Sequence, residues 1–432
     1  MNNTKPESDF IIVGAGLTGL AAASSLSRRG NSVTVLESAE RPGGRVRTDS
    51  VDGFLLDRGF QVFLNSYPEA KAILDFGDLK LHSFFQGSRV WDGRRWSVMA
   101  DPQTHPAYIF HTLFSSTGTI GDKLRVAKLK YSSQSGDGDG VWESSDSTTL
   151  EYLRGYGFSE RFIDVFFRPF MGGVFLEPEL SVSSRYFRYL YRFFGNGRAC
   201  LPENGMQAIP DQLVSRIPSG AIICGCRVTA LQGNQVHAEN GVRFTAQKGI
   251  ILATPDISRI SGLSDEDETT VMDWLSTCTV YFKAPTSQHW KPCLYLNGGP
   301  DRLVNSVAVL NKVAPSYSPS GWDLISVALN RIPPGDDITL SGHVKSSLVS
   351  MIPEIILKNW ELLRVDRLTK ALPSIARAIP FKPTGPKLVN AESGTCPVIH
   401  AGDGVNTPSI QGALESGRQA AELAAKIGDR LN

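Results

Sequence analysis

The chain has 432 residues, long enough for two or three compact domains with sizeable cores. Its 44 basic residues nearly balance its 43 acidic ones, a net charge of +1 that excludes the electrostatic footprint of a nucleic-acid binder or an acidic scaffold. With 41% apolar and 20% charged residues, the composition is that of a soluble globular protein.

The first predicted element is Phe10-Ile-Ile-Val-Gly14-Ala15-Gly16-Leu17-Thr18-Gly19-Leu-Ala-Ala-Ala23. An apolar run of strand character enters a turn with glycines at its first, third and sixth positions, and an alanine-rich helix follows. Val33-Thr-Val-Leu-Glu37 then reads as a second buried strand. This is the pattern of a βαβ dinucleotide-binding unit. Gly14 permits the tight turn, Gly16 lets the backbone approach a pyrophosphate, and Gly19 lets the helix lie close on the strand. The helix N-terminus offers unpaired N–H groups and partial positive charge to the phosphates. Glu37 stands where a carboxylate accepts hydrogen bonds from ribose hydroxyls, and it would repel a 2′-phosphate.

The same segment, residues 10–26, imitates a signal peptide, but Glu7 and Asp9 precede it and glycines interrupt it. No uninterrupted apolar run approaches the roughly 20 residues that span a bilayer. The six cysteines (Cys200, Cys224, Cys226, Cys278, Cys293 and Cys396) contain no Cys-x-x-Cys pair, and no His/Cys cluster has zinc spacing, so no metal is expected. Cys224 and Cys226 are expected on one face of a strand. A reducing compartment follows, cytoplasmic or organelle-stromal, with the protein soluble or peripheral to a membrane and lacking a signal peptide or spanning helix.

Next come Ser38, Arg41-Pro-Gly43-Gly44-Arg45-Val-Arg-Thr48 and Gly53-Phe-Leu-Leu-Asp57-Arg-Gly59-Phe60-Gln61. Paired glycines flanked by arginines suit a place where backbone and guanidinium crowd a phosphate, or a plain surface turn. From about Ser83 the chain turns aromatic, with helical periodicity after Asp101. Tyr131 to Gly140 is low in complexity and reads as a mobile loop. Thr148 to Phe167 reads as helical and ends in Arg168-Pro-Phe-Met-Gly-Gly-Val-Phe175. Ser183 to Phe194 divides into an aromatic stripe (Tyr186, Tyr189, Leu190, Phe193, Phe194) and a basic one (Arg185, Arg188, Arg192). Such a helix either touches an anionic membrane or, more often, buries its aromatics in a core.

Pro202 to Leu213 is expected to be helical, and Ala221 to Leu231 and Val236 to Phe244 to be strands. Gly249-Ile-Ile-Leu-Ala-Thr-Pro255 is a further strand entering a turn. Strands near 277–283, 294–297, 303–310 and 323–329 predict a mixed sheet, followed by helices over 339–352 and 353–359 and a strand over 360–371. The end returns to the opening texture. Val398-Ile-His-Ala401 is a strand, Gly402-Asp403-Gly404 a turn, and Ser409 caps a long helix that opens Ile410-Gln411-Gly412.

In order and spacing, the Gly14-x-Gly16-x-x-Gly19 turn, Glu37, Arg41-x-Gly43-Gly44-Arg45, the 249–255 strand and Gly402-Asp403 resemble the FAD-dependent amine oxidase superfamily. That superfamily also holds protoporphyrinogen oxidases and carotenoid desaturases and isomerases. The resemblance implies an α/β fold: a discontinuous Rossmann-like FAD domain (1–82, 203–262, 385–432) and a mixed-sheet plus helical substrate domain (83–202, 263–384). It implies non-covalent FAD held by Gly14, Ala15, Gly16, Leu17, Thr18 and Gly19 at the pyrophosphate, with Glu37 and Ser38 at the ribose. Arg41, Gly43, Gly44 and Arg45 would add phosphate and ribityl contacts. Val228 would meet the adenine, Gly402 and Asp403 the ribityl chain, and Ile410, Gln411 and Gly412 the flavin N1–C2=O edge. Gly59, Phe60 and Gln61 would lie near the isoalloxazine.

The segment Arg168 to Ser181 resembles the protoporphyrinogen oxidase branch. The leading expectation is therefore an oxidoreductase that takes hydride from a C–H bond of a large apolar substrate, isoprenoid, carotenoid or tetrapyrrole, onto flavin N5. With one dinucleotide motif, oxygen or a quinone is the expected acceptor. The alternatives are amine oxidation, a redox-neutral isomerase using reduced FAD, and a flavin-binding module without activity. No catalytic acid or base stands out; His289, His400, Lys283 and Arg168 are the candidates. Near the C-terminal motif, Glu392-Ser-Gly-Thr-Cys396 lacks the Trp or Tyr expected of an amine oxidase.

Overall fold

The computed structural model describes residues 7–134, 140–264, 273–375, 380–391 and 396–431, and two sheets organise them. The first is built on Ser8–Val13, whose apolar residues are buried. A strand buried on both faces suits a parallel sheet, whose crossovers cover it on either side. Val33–Leu36 and Arg243–Leu252 flank it, both parallel, and Ile222–Ile223 and Val398–His400 extend the order on either side. The long strand Arg243–Leu252 also pairs antiparallel, at its start, with Gln235–Ala238. The helices Leu17–Arg28 and Ile410–Leu431 pack together beside this sheet. Gly417 permits that contact, since a Cβ there would lie 2.2 Å from the Thr18 carbonyl oxygen.

The second sheet has seven strands in the order Glu361–Pro373, Trp274–Pro285, Trp322–Leu329, Val304–Val309, Leu294–Asn297, Gly87–Trp91 and Trp96–Ala100. Segments far apart in sequence thus share one mixed sheet, as the α/β reading expects. A helical region includes Ile120–Gln134, which packs on Ser184–Asn196, and Arg168–Phe175, which packs on Leu294–Asn297 and Val304–Val309 of the second sheet.

The structure corrects several local expectations. Thr148 to Phe167 is helical as expected, but in two pieces. Thr149–Gly155 starts with a Thr148/Glu151 capping box, the chain turns at Gly157 (φ +94°), and Ser159 caps a new start. Ile163–Phe167 is π-helical and runs into Arg168–Phe175. Pro169 explains the widened turn, because it has no N–H to donate to the preceding turn. Ala221 to Leu231 splits into Ile222–Ile223 and Val228–Gln232 around Gly225 (φ +64°), so Cys224 and Cys226 lie in a turn, not on one strand face. The helix expected from Pro202 begins only at Ala208. Where a loop is expected from Tyr131 to Gly140, the helix Ile120–Gln134 takes up residues 131–134, and residues 135–139 lie outside the described residues.

Ser184–Asn196 is a core helix on both of its stripes. Tyr186, Phe187, Tyr189, Leu190, Tyr191 and Phe193 are all buried. Arg185 donates to the Ser144 carbonyl, Arg188 to the Ser144 hydroxyl, and Arg192 sits over Phe193 with 5.0 Å to the ring centroid. This helix has no face left for a membrane.

Candidate functional site

The three glycines of the opening turn do different physical work. A Cβ on Gly14 (φ +103°) would lie 2.7 Å from the Ala253 carbonyl oxygen, and one on Gly19 would lie 1.9 Å from that of Gly14. Both are tied to backbone packing. A Cβ on Gly16 would meet nothing within 4 Å, because Gly16 faces a cavity of about 1290 Å³. That volume exceeds the roughly 1,000 Å³ upper range of a drug-sized site. It has room for a dinucleotide and a second molecule.

Gly14, Gly16, Leu17, Thr18, Glu37, Ser38, Gly43, Gly44, Arg45, Gly59, Phe60, Gln61, Val228, Asp403 and Ile410 all line this one cavity. Glu37 is buried, and its Oε2 and Oε1 accept the N–H groups of Ala15 (2.7 Å) and Ala39 (2.8 Å). A carboxylate pinned in this way keeps further lone pairs for hydroxyl donors in the cavity. Arg45 donates to Asp403 at 2.6 Å, joining the two ends of the chain across the site, and also to the Ala371 carbonyl at 3.2 Å. Gln61 Nε2 holds the Arg45 and Arg58 carbonyls at 2.9 and 2.8 Å, and the Phe60 N–H donates to Thr279 Oγ1 at 3.1 Å. The loop 59–61 is thereby fastened to the glycine–arginine turn and to the second sheet.

Six of the expected residues do not reach the cavity wall. Ala15 and Gly19 shape the turn from behind. Arg41 donates to the Thr48 carbonyl and pairs with Asp49, away from any phosphate position. Gly402 donates its N–H to Ser416 Oγ. The Gln411 side chain accepts from the Glu69 N–H at 3.0 Å. The Gly412 N–H is taken by Ser409 Oγ at 3.0 Å, the N-cap that the sequence indicates, and at this helix start Pro408, Ser409, Ile410 and Ala413 face the cavity. None of His289, His400, Lys283 and Arg168 lines it. Lys283 pairs with Glu361, Arg168 with Asp164 and Glu179, and His400 is buried in its strand. Residues 392–395 lie outside the described residues.

Beyond the polar half, the wall becomes aromatic. Phe60 stands edge-on to Phe84 with centroids 6.5 Å apart, and Phe170 edge-on to Phe194 at 5.3 Å. Phe166, Leu190, Tyr191, Leu113 and Leu124 continue the surface. Sequence reading notes the aromatic texture but not which rings face inward, since that depends on how the helices are rotated in the fold.

A buried acid beneath the site escapes sequence reading altogether. Asp57 accepts from Thr48 Oγ1 (2.5 Å), the Met206 N–H (3.0 Å) and the Tyr317 hydroxyl (2.9 Å), while the Tyr281 hydroxyl donates to its carbonyl (2.8 Å). Burial pushes its carboxyl up to about 6, against the lowering effect of these donors and of Arg364. Two residues before Gly59, this network fixes the strand from which the cavity loop departs.

The polar half fits FAD on its own chemistry. It offers open space at Gly16, the N-terminus of a 12-residue helix, a fixed acceptor at Glu37 and the Arg45–Asp403 pair. Comparison with known proteins agrees. The chain is 28% identical over 181 residues to protoporphyrinogen oxidase 2, chloroplastic/mitochondrial, of Arabidopsis thaliana, covering 40% of this chain and 34% of that protein. It is 37% identical over 98 residues to putrescine oxidase of Kocuria rosea, covering 22% of this chain and 20% of that one. The chain thus matches about a third or less of the length of these relatives. In fold it is similar to an oxidoreductase from Methanosarcina mazei (TM-score 0.72, 18% identity, 96% of this chain and 99% of that one) and to putrescine oxidase bound to putrescine (0.71, 15%, 98% and 100%). The family model for flavin containing amine oxidoreductase matches residues 17–425, from the helix behind the glycine turn to the helix that packs against it, and the chain belongs to that family.

Proposed function

We propose that the protein is an FAD-dependent oxidoreductase that takes a hydride from a C–H bond of a large apolar substrate of isoprenoid, carotenoid or tetrapyrrole type, with oxygen or a quinone as final acceptor. The observation that carries this reading is the character of the cavity: one continuous space, polar at the glycine turn and aromatic beyond Phe60. FAD, when bound, supplies the two-electron acceptor. Glu37 accepts the ribose hydroxyls, the Leu17–Arg28 helix N-terminus faces the pyrophosphate, and Asp403 with Arg45 holds the chain between nucleotide and ring. Phe60, Phe84, Phe170 and Phe194 hold the substrate by apolar contact and exclude water. Residues 1–82, 203–262 and 385–432 form the cofactor domain in this reading.

The charges on the wall favour it over amine oxidation. Every carboxylate among the described lining residues has a partner: Glu37 two backbone N–H groups, Asp101 Lys130, Asp256 Lys370 and Asp403 Arg45. No acid is left over for a substrate ammonium group. Non-covalent FAD is supported by the lining as well. Its described residues include no histidine, and its one cysteine, Cys226, stands beside Val228 at the nucleotide end.

Anaerobic mixing with a panel of substrates tests the reading. Polyenes or porphyrinogens should bleach the flavin, and amines should not. Bleaching by amines alone would transfer the protein to amine oxidation. Isomerisation that requires prior flavin reduction would make it an isomerase, and a flavin that no substrate reduces would leave a binding module.

A further inference from the structure

Among the described residues, eleven large apolar or tyrosine side chains are exposed, and seven of them fall between Tyr108 and Tyr131. Phe110 is 68% exposed, Phe114 71%, Ile120 52% and Leu124 61%. The helix Ile120–Gln134 buries Leu129 as an ordinary surface helix does, but its exposed face is apolar as well. Its outward stripe carries Ile120, Leu124 and Ala127 at helical spacing, while Asp122 and Lys123 are buried. Asp122 accepts from Ser159 and Thr119, and Lys123 donates to the Ser115 and Gly118 carbonyls. Asp122, Lys123 and Leu129 hold the helix to the body, while Ile120, Leu124 and Ala127 face out. Such a contiguous exposed patch on a folded chain marks a contact surface.

Its charge and its position identify the occupant. The helix carries four cations and one acid; the acid is buried, and Lys130 pairs with Asp101. Arg125 and Lys128, for which no ion pair is present among the described residues, leave the described face cationic. Ile109 and Leu124 are exposed and also line the cavity, so the patch rims its opening. We propose that the helices Ile109–Leu113 and Ile120–Gln134 seat the protein on an anionic lipid bilayer, with the cavity opening against the membrane. Phe110, Phe114, Ile120 and Leu124 enter the interface, and Arg125 and Lys128 meet the headgroups. An apolar molecule then passes from bilayer to cavity without crossing water. Only this last consequence rests on the apolar-substrate reading; the docking face rests on exposure and charge.

Co-sedimentation of the flavin-loaded protein with phosphatidylcholine vesicles, with and without phosphatidylglycerol, tests it without any substrate. Binding to the anionic vesicles is expected, weakened by salt, and reduced about tenfold or more in Phe110→Ser/Phe114→Ser and in Leu124→Asp. Both variants replace exposed side chains and should keep the parent melting temperature. Absence of binding to anionic vesicles overturns the proposal, as does undiminished binding by both variants. So does a concentration-dependent dimer that the serine variant abolishes, which would assign the face to a second copy. Failure of the substrate panel with vesicle binding intact would overturn the reaction and leave the docking face standing.

Discussion

At the scale of single residues, the opening turn separates folding from binding within six positions. Gly19→Ala drives a methyl group into the Gly14 carbonyl, where a Cβ would stand at 1.9 Å with only backbone to move. Overpacking of this kind costs about 1–3 kcal/mol, so the variant should unfold at lower denaturant with or without flavin. Gly16→Ala adds its methyl to empty space, at an extended φ of −74° that alanine adopts freely. Its stability without flavin should stay within about 0.5 kcal/mol of the parent, while its FAD affinity falls because the methyl occupies the phosphate approach. Denaturation of the flavin-free proteins and titration with FAD give the two readouts. Equal loss of stability in both variants would mean that Gly16 too is a packing residue.

At the scale of elements, the hairpin Thr48–Val51/Phe54–Asp57 is fastened to the second sheet through Asp57, Tyr317, Tyr281 and Arg364. Asp57 has a folded pKa of about 6 against 3.8 for the ordinary group, so the folded chain keeps a proton that the unfolded chain has released. That contribution is fully present below about pH 4 and is lost as the pH rises through 6. The shift of about two units corresponds to about 3 kcal/mol. Asp57→Asn keeps the size and removes the titration. Between about pH 4 and pH 7 the parent should lose roughly 3 kcal/mol relative to the variant in urea unfolding. Parallel curves would show that Asp57 is ionised throughout.

Elements were legible where a local rule fixes them. The βαβ unit follows from buried apolar runs and glycine positions, and the Ser409 cap from one hydroxyl before a helix. Legibility stopped where partners from distant segments decide. Arg41 looks like a phosphate ligand beside Gly43 and Gly44, yet Asp49 and the Thr48 carbonyl claim it. Of the two readings that the stripes of Ser184–Asn196 leave open, the favoured one, burial in a core, is realised, and it is Ser144 and the surrounding rings that take up the arginines and aromatics. Ile120–Gln134 shows the reverse case. Its four cations and one acid suggest an ordinary solvated helix, and only the burial of Asp122 and Lys123 reveals which side faces out.

At the scale of the whole molecule, the cavity draws its wall from both sheets and from the aromatic helices. Gly14, Glu37 and Val228 come from the first sheet's strands and turns, and Thr277, Leu368 and Leu372 from the second sheet. A ligand there ties the two together and stabilises by mass action, about 2.7 kcal/mol at a hundredfold excess over its dissociation constant. Flavin removal should therefore lower the thermal midpoint, and added FAD should restore it in proportion to the logarithm of its concentration. A midpoint indifferent to FAD would separate the cavity from the cofactor.

The pairing of the last helix with the first carries a consequence for how the protein is made. Val398–His400 closes the parallel sheet beside Arg243–Leu252, and the helix Ile410–Leu431 supplies the Ala413 carbonyl that the Thr18 hydroxyl holds at 3.0 Å. A nascent chain still on the ribosome has its glycine turn early but lacks the strand and helix that complete the nucleotide half. Contacts of such long sequence separation form late and slowly. A chain that stops before residue 398 lacks the strand and helix that complete this half, so it should bind FAD far more weakly than the full chain, which titration of the truncated protein with FAD checks.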